Sequence, residues 1–285
     1  MSISRSTLQL GYASFTQLIA ALSHPLPSCL DINLRHSQLG DLSTAQLQQV
    51  LQLISRNVTA VSSLDLRSNN LQDAGCALVA STLLSPTSPV QSINLWDNSI
   101  TYRGARKLGY ILASNTNCQV LNLGRNGLEN DGTVALAKGL RQNSSLTHLN
   151  VRDSYIGDVG AAALATVPTL NVLDLSRNNV TDVGADALLF SNVRPTPFQT
   201  LNLSANEISN VNRIIEADTG EAKADTATAR VPLSIVGILP ENLSLSNQAG
   251  SGRSKVERVR HCWVQKNTDR GARIRADDPF GWEAR

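Results

Sequence analysis

Along most of the chain, apolar and polar positions follow a block that returns about every 28 residues. One copy reads Leu64-Asp65-Leu66-Arg67-Ser68-Asn69-Asn70-Leu71. Close variants begin at Ile93, Leu121, Leu149, Leu173 and Leu201, and a looser one begins at Ile32. The first and third residues of each block are apolar and two apart, so both point to one side of a short strand. Nine residues past the second of them stands Gly75, Gly104, Gly132, Gly160 or Gly184. Apolar residues follow most of these glycines at four and eight positions, as in Val79 and Leu83, Leu108 and Leu112, or Leu136 and Leu140. That spacing predicts one face of an α-helix. Each block is therefore strand, turn and helix, with the two apolar sides facing each other.

A fixed period of this size marks stacked units that bury their apolar faces against one another. Strands in a sheet lie ~4.8 Å apart and a helix is about twice as wide, so a stack with strands on one side and helices on the other must curve. The predicted fold is an α/β solenoid, a horseshoe with a concave parallel sheet of about seven strands and convex helices. In five copies an Asn follows the second strand leucine by three positions: Asn69, Asn98, Asn126, Asn178 and Asn206. Turned inward, it can hydrogen-bond backbone groups that the turning chain leaves unpaired. Ser37 and Ser154 replace it in two copies and should do so more weakly. The glycine at the helix start is expected to allow close contact with the next unit.

These residues resemble the leucine-rich repeats of the ribonuclease-inhibitor type, over residues 28–211. The same subtype is similar to the repeat regions of NOD-like receptors and of the Ran GTPase-activating proteins. The resemblance implies protein binding on the concave face. It also implies an alternative, activation of a Ran-like small GTPase by ordering that enzyme's own catalytic residues.

The pattern slips in informative places. The second strand leucines stand at 34, 66, 95, 123, 151, 175 and 203, giving steps of 32, 29, 28, 28, 24 and 28. The short step coincides with Pro168, which occupies the place of a helix leucine and should shorten that helix. The convex layer is thus expected to thin towards the C-terminal end. Before the first block, Gly11, Phe15 and Ile19 repeat the helix spacing, so residues 7–23 read as a helix without a strand, within an N-terminal cap over 1–27. Residues 212–285 carry no repeat and read as an irregular, disordered basic tail, in which Val231–Leu239 could pair with the sheet edge left by Leu201–Leu203.

Outward residues on the strands line up across the sheet. The position between the leucines reads Asn33, Asp65, Asn94, Asn122, Asn150, Asp174 and Asn202, a ladder able to bond laterally. Two residues further on come Arg35, Arg67, Trp96, Gly124, Arg152, Ser176 and Ser204. In the adjoining turn, Asp97, Arg125, Asp153 and Arg177 alternate in sign. Trp96 stands among polar neighbours with Arg67 on one side and Arg152 beyond the bare Gly124, a composition typical of interface hot spots. His148 should lie near the same patch. The candidate partner-binding residues are therefore Arg67, Trp96, Asp97, Arg125, His148, Arg152, Asp153 and Arg177.

Charge and chemistry narrow the function further. Residues 1–211 hold 13 Lys+Arg and 13 Asp+Glu, which cancel, and this argues against nucleic acid as the main ligand of the repeats. The remaining 12 basic and 10 acidic residues fall in 212–285. No phosphate-cradling loop, nucleophile elbow or His-Glu-x-x-His occurs, and the four histidines and four cysteines are dispersed. We expect no catalysis, cofactor, metal or small-molecule substrate. Without a signal-like start or an apolar run of membrane-spanning length, the expected setting is cytoplasmic or nuclear.

Overall fold

The computed structural model describes residues 6–24, 30–57, 61–86, 88–190, 198–209 and the backbone of 234–236. The first strand, β1 (Ser6–Gln9), leads into helix α1 (Phe15–Leu22). Strand β2 (Leu30–Asn33), a short 3₁₀ turn (Leu39–Asp41) and helix α2 (Thr44–Asn57) follow. The regular units are β3 (Val61–Asp65) with α3 (Gln72–Leu83), β4 (Ser92–Asn94) with α4 (Tyr102–Leu112), and β5 (Val120–Asn122) with α5 (Glu129–Leu140). They continue with β6 (His148–Asn150), α6 (Asp158–Ala165), β7 (Val172–Asp174), α7 (Asp182–Phe190), β8 (Thr200–Asn202) and β9 (Ser234–Val236).

All nine strands form one open sheet in sequence order, each parallel to its neighbours. Leu64, Ile93, Leu121, Leu149, Leu173 and Leu201 stand in register across it. Their side chains, the second leucines and the helix positions Val79, Leu83, Leu108, Leu112, Leu136 and Leu140 form one continuous buried cluster. This is the expected α/β solenoid, with more strands than the seven expected. One addition is at the start. Residues 7–23 are not a helix lacking a strand, because Leu8 and Leu10 alternate as strand residues and β1 pairs in register with β2. That unit lacks the turn asparagine, having Ala13 at its place, which hid the strand. The other addition, β9, lies inside Val231–Leu239 and pairs with β8. The remainder of 212–285 lies outside the described residues, as do residues 1–5 and 25–27 of the expected cap.

The inward asparagines connect each turn to the unit before it. The Asn126 amide donates to the carbonyls of Leu95 (3.0 Å), Leu123 (2.9 Å) and Gly124 (3.1 Å). Its Oδ1 accepts from the backbone N–H groups of Asn98 (3.1 Å) and Ile100 (2.9 Å) in the preceding unit. Asn69 and Asn178 repeat this five-bond pattern. Ser154 reaches only the carbonyls of Arg152 (3.2 Å) and Leu123 (3.5 Å), the weaker substitution its length predicts.

A second ladder, on the helix side, was not legible in advance. Seven residues past the second leucine, Asp73 accepts from the N–H groups of Thr101 (2.8 Å) and Gly104 (2.9 Å), capping the helix of the next unit. Asn130 does the same for Gly157 and Gly160, and Asp158 for Thr181 and Gly184. The helix glycine therefore packs against the preceding unit, not the next one as expected. A Cβ on Gly104 would sit 2.6 Å from Asp73 Oδ1, and one on Gly132 would sit 2.7 Å from Tyr102 Cα. The convex layer also thins as expected: α3 and α5 have 12 residues each, while α6 has 8 and α7 has 9.

Replacing Asn126 by Ala leaves two buried N–H groups and several carbonyls without a partner. It should lower stability by about 2–4 kcal/mol. Ser154→Asn should do the reverse, raising stability by about 1 kcal/mol by restoring the missing bonds. Urea denaturation of the two variants checks both signs.

Candidate protein-binding surface

The concave face presents three columns of side chains. The first contains Ser92, Val120, His148 and Val172; the second contains Asn94, Asn122, Asn150 and Asp174. The third, two residues further along each strand, holds Arg67, Trp96, Gly124 and Arg152. The second column is a floor. Asn94, Asn122, Asn150, Asp174 and Asn202 are at most 7 % exposed. Their bonding is mainly along the strand, not lateral as the sequence suggested. From Asn33 to Asn202, each Oδ1 accepts the N–H two residues on, at 2.8–3.1 Å. This is the local hydrogen bond that short Asx side chains favour. Asp174 and Asn202 add a side-chain bond between strands.

Above that floor lies a cavity of about 230 Å³. Its walls include Arg67, Trp96, Asp97, Arg125 and Arg152, five of the eight candidate residues. His36 and Asp174 also line it and were missed. His36 occupies the turn position in a looser copy of the block, and it stacks on Tyr12 with centroids 5.1 Å apart. Asp174 was read only as one rung of a ladder, although it is one of two carboxylates in that column. The remaining three candidates stand apart. His148 is in the first column, half-buried, with Nδ1 2.8 Å from Thr147 Oγ1. Asp153 and Arg177 are not among the residues lining the cavity.

Trp96 does not stand free. Its indole lies across Gly124, where a Cβ would run into Cε3 and Cζ3, and the side chain is half-buried. The absent side chain is what lets the ring lie flat as part of the cavity wall. Arg67 is drawn onto Asp65, with Nη2 2.8 Å from Oδ2 and both groups near 15 % exposed (14 % and 16 %). Asp97 and Arg125 make the looser pair, at 3.8 Å and with 42 % and 63 % exposure. An exposed pair of that kind contributes ~0–1 kcal/mol. The turn residues that carry these charges share an unusual backbone. His36, Ser68, Asp97, Arg125, Asp153, Arg177 and Ala205 all have φ between 53° and 56°. A non-glycine residue there costs about 1–2 kcal/mol. From His36 to Arg177 the turn is held because each of these N–H groups reaches the neighbouring strand, as in Asp97 to Gly124 (3.0 Å) and Arg125 to Arg152 (2.7 Å).

Burial raises the pKa of the Asp174 carboxyl, opposed by hydrogen bonds from Ser176 and Asn202 and by the Arg152 charge. Burial lowers that of His148. The thiols of Cys76 and Cys118 are buried and pushed upward, Cys118 to about 12, which keeps them as unreactive core groups. Among the described residues no cluster of His, Cys, Asp and Glu could hold a metal ion, and no helix is long and apolar enough to cross a membrane.

Comparison with known proteins places this architecture. The Leucine Rich repeat family matches residues 61–80, 114–137, 142–165 and 168–189. The chain carries leucine-rich repeats, and these resemble the ribonuclease-inhibitor type. Pig ribonuclease inhibitor is 31 % identical over 157 residues, covering 53 % of this chain and 34 % of the inhibitor. Human NACHT, LRR and PYD domains-containing protein 13 is 33 % identical over 134 residues, 47 % of this chain and 12 % of that protein. Arabidopsis thaliana RAN GTPase-activating protein 2 is 27 % identical over 124 residues, 42 % of this chain and 23 % of that protein. The chain thus spans about a third or less of the length of these relatives.

Two outcomes follow for the cavity. Gly124→Ala should drive the indole off the sheet, shifting Trp96 emission to longer wavelength. Subtracting the spectrum of Trp96→Phe isolates it from Trp263 and Trp282. For Asp174, a raised folded pKa means that ionisation is disfavoured on folding, so the penalty is fully present above that pKa. Asp174→Asn should therefore raise the melting temperature at pH 7. The gain should fade as pH falls through the folded-state pKa, because the native carboxyl then becomes protonated.

Proposed function

We propose that the protein is a non-enzymatic scaffold that binds another protein in its concave face, around Trp96. The observation that carries this reading is the convergence of Trp96, Arg67, Arg125 and Arg152 on one cavity. Aromatic and arginine side chains around a partly dry pocket are the groups on which interface energy concentrates. The floor below is rigid and its polar atoms are engaged along the strands, so a partner meets a preformed surface and little ordering is needed on binding. Asp97, Asp153, Arg177 and His148 form the surrounding polar rim in this proposal. The relatives support binding in general, since one is named as an inhibitor of ribonuclease. The intracellular setting expected from the sequence belongs to the same proposal.

Likeness to RAN GTPase-activating protein 2 favours a second reading, stimulation of a Ran-like GTPase. The two are separable. Trp96→Ala combined with Arg152→Ala should weaken partner capture about tenfold or more while leaving the unfolding midpoint nearly unchanged. Pull-down from a lysate with quantitative mass spectrometry measures it, and undiminished capture by the double variant refutes the site. Faster GTP hydrolysis by Ran in the presence of the protein would establish the rival.

A further inference from the structure

Helix α4 departs from its neighbours on the side away from the cavity. Tyr102, Arg103, Arg106, Lys107 and Tyr110 are all exposed. Their spacing of one, four, five and eight places them on a single helix face. The stripe carries three positive charges and no acid. Helices α3, α5, α6 and α7 each have an acidic residue in the first turn, where the helix dipole favours it; α4 has none there and Arg103 instead. Helix stability therefore opposes this arrangement and does not explain it.

The helix-side ladder gives the same indication. At the position where Asp73, Asn130 and Asp158 cap the next helix, α4 has Tyr102, so that link is given up. The tyrosine is used outside: Arg103 Nε donates to Tyr102 Oη at 3.1 Å and its guanidinium lies 5.6 Å from the ring centroid. Lys107 Nζ lies 5.7 Å from the centroid of Tyr110. Arg103 and Lys107 are thus each held in place by a ring, and none of the three cations forms an ion pair among the described residues. The nearby Asp73 carboxylate is already engaged by Thr101 and Gly104. The platform is firm, because Gly109 and Gly139 bring the backbones of α4 and α5 into direct contact.

We propose that this stripe is a second interaction surface, fitted to a short acidic polypeptide segment. Arg103, Arg106 and Lys107 would meet its carboxylates and the tyrosines would cover its aliphatic stems. Charge complementarity selects an anion, and the footprint selects the class. Three cations neutralise three charges, whereas nucleic-acid binders engage roughly 6–10 phosphates. The body around the stripe adds no net positive charge.

The test uses the full chain and a fluorescein-labelled dodecaglutamate peptide, joined by carbodiimide and located by mass spectrometry. A peptide carboxylate should form an amide with the Lys107 amine. R103E/R106E should reduce that product about tenfold, without changing the melting temperature, and W96A/R152A should leave it intact. Crosslinks confined to Lys255 and Lys266 would overturn the proposal. So would tighter binding of wild-type protein to a fifteen-residue thymidine oligonucleotide, or to phosphatidylserine vesicles, than to the peptide.

Discussion

The buried asparagine of each turn is the interaction on which the rest of the structure depends. One side chain closes its own turn through two carbonyls, reaches a carbonyl of the unit before it, and accepts two of that unit's N–H groups. Those groups are out of reach of water, so leaving them unpaired would cost a large part of a typical protein's stability. The bonds fix how far and at what angle consecutive units are set. The chain bends there over the core, and the residue just before the asparagine, or before the serine that replaces it, is left-handed in seven successive units. Apolar burial drives the stacking; the asparagines give it one register.

With the stack so determined, departures from the repeat become informative. Gly124 removes a side chain from the third column and Trp96 occupies the space. Tyr102 replaces a helix-capping residue, and the hydrogen-bonded link to the next helix is given up there. Both changes sit in the middle units, where neighbours on each side keep the backbone in place. Local stability is given up there for exposed or half-exposed aromatic and cationic groups. The concave cavity and the convex stripe thus occupy opposite sides of the same few units, so two ligands could bind without competing for space.

Much of the fold was legible because period and burial are linked: Leu64 and Leu66, then Val79 and Leu83, state the strand and helix faces directly. Ser154 as a weak substitute and Pro168 as a helix shortener were also readable, since each follows from the chemistry of one side chain. The first strand was not, because Leu8 and Leu10 carry the alternation without the asparagine that marks the other units. The helix-side ladder was hidden for another reason. Asp73, Asn130 and Asp158 look like ordinary surface polar residues, and their partners lie in the next unit, about 30 residues away. At the candidate surface, five residues could be grouped in advance because they share columns. The flattening of Trp96 onto Gly124 and the engagement of Arg67 by Asp65 depend on rotamers, which the order of residues does not specify.

Native-state hydrogen exchange tests the central role of the asparagines most directly. The amides of Asn69, Leu71, Asn98 and Ile100, each bonded to an asparagine Oδ1 of the following unit, should exchange only through openings that need two or more units to separate. They should then be protected as strongly as the strand amides of Leu66 and Leu95. Exchange of these four at the rates of exposed turn amides, with the strands still protected, would contradict the account.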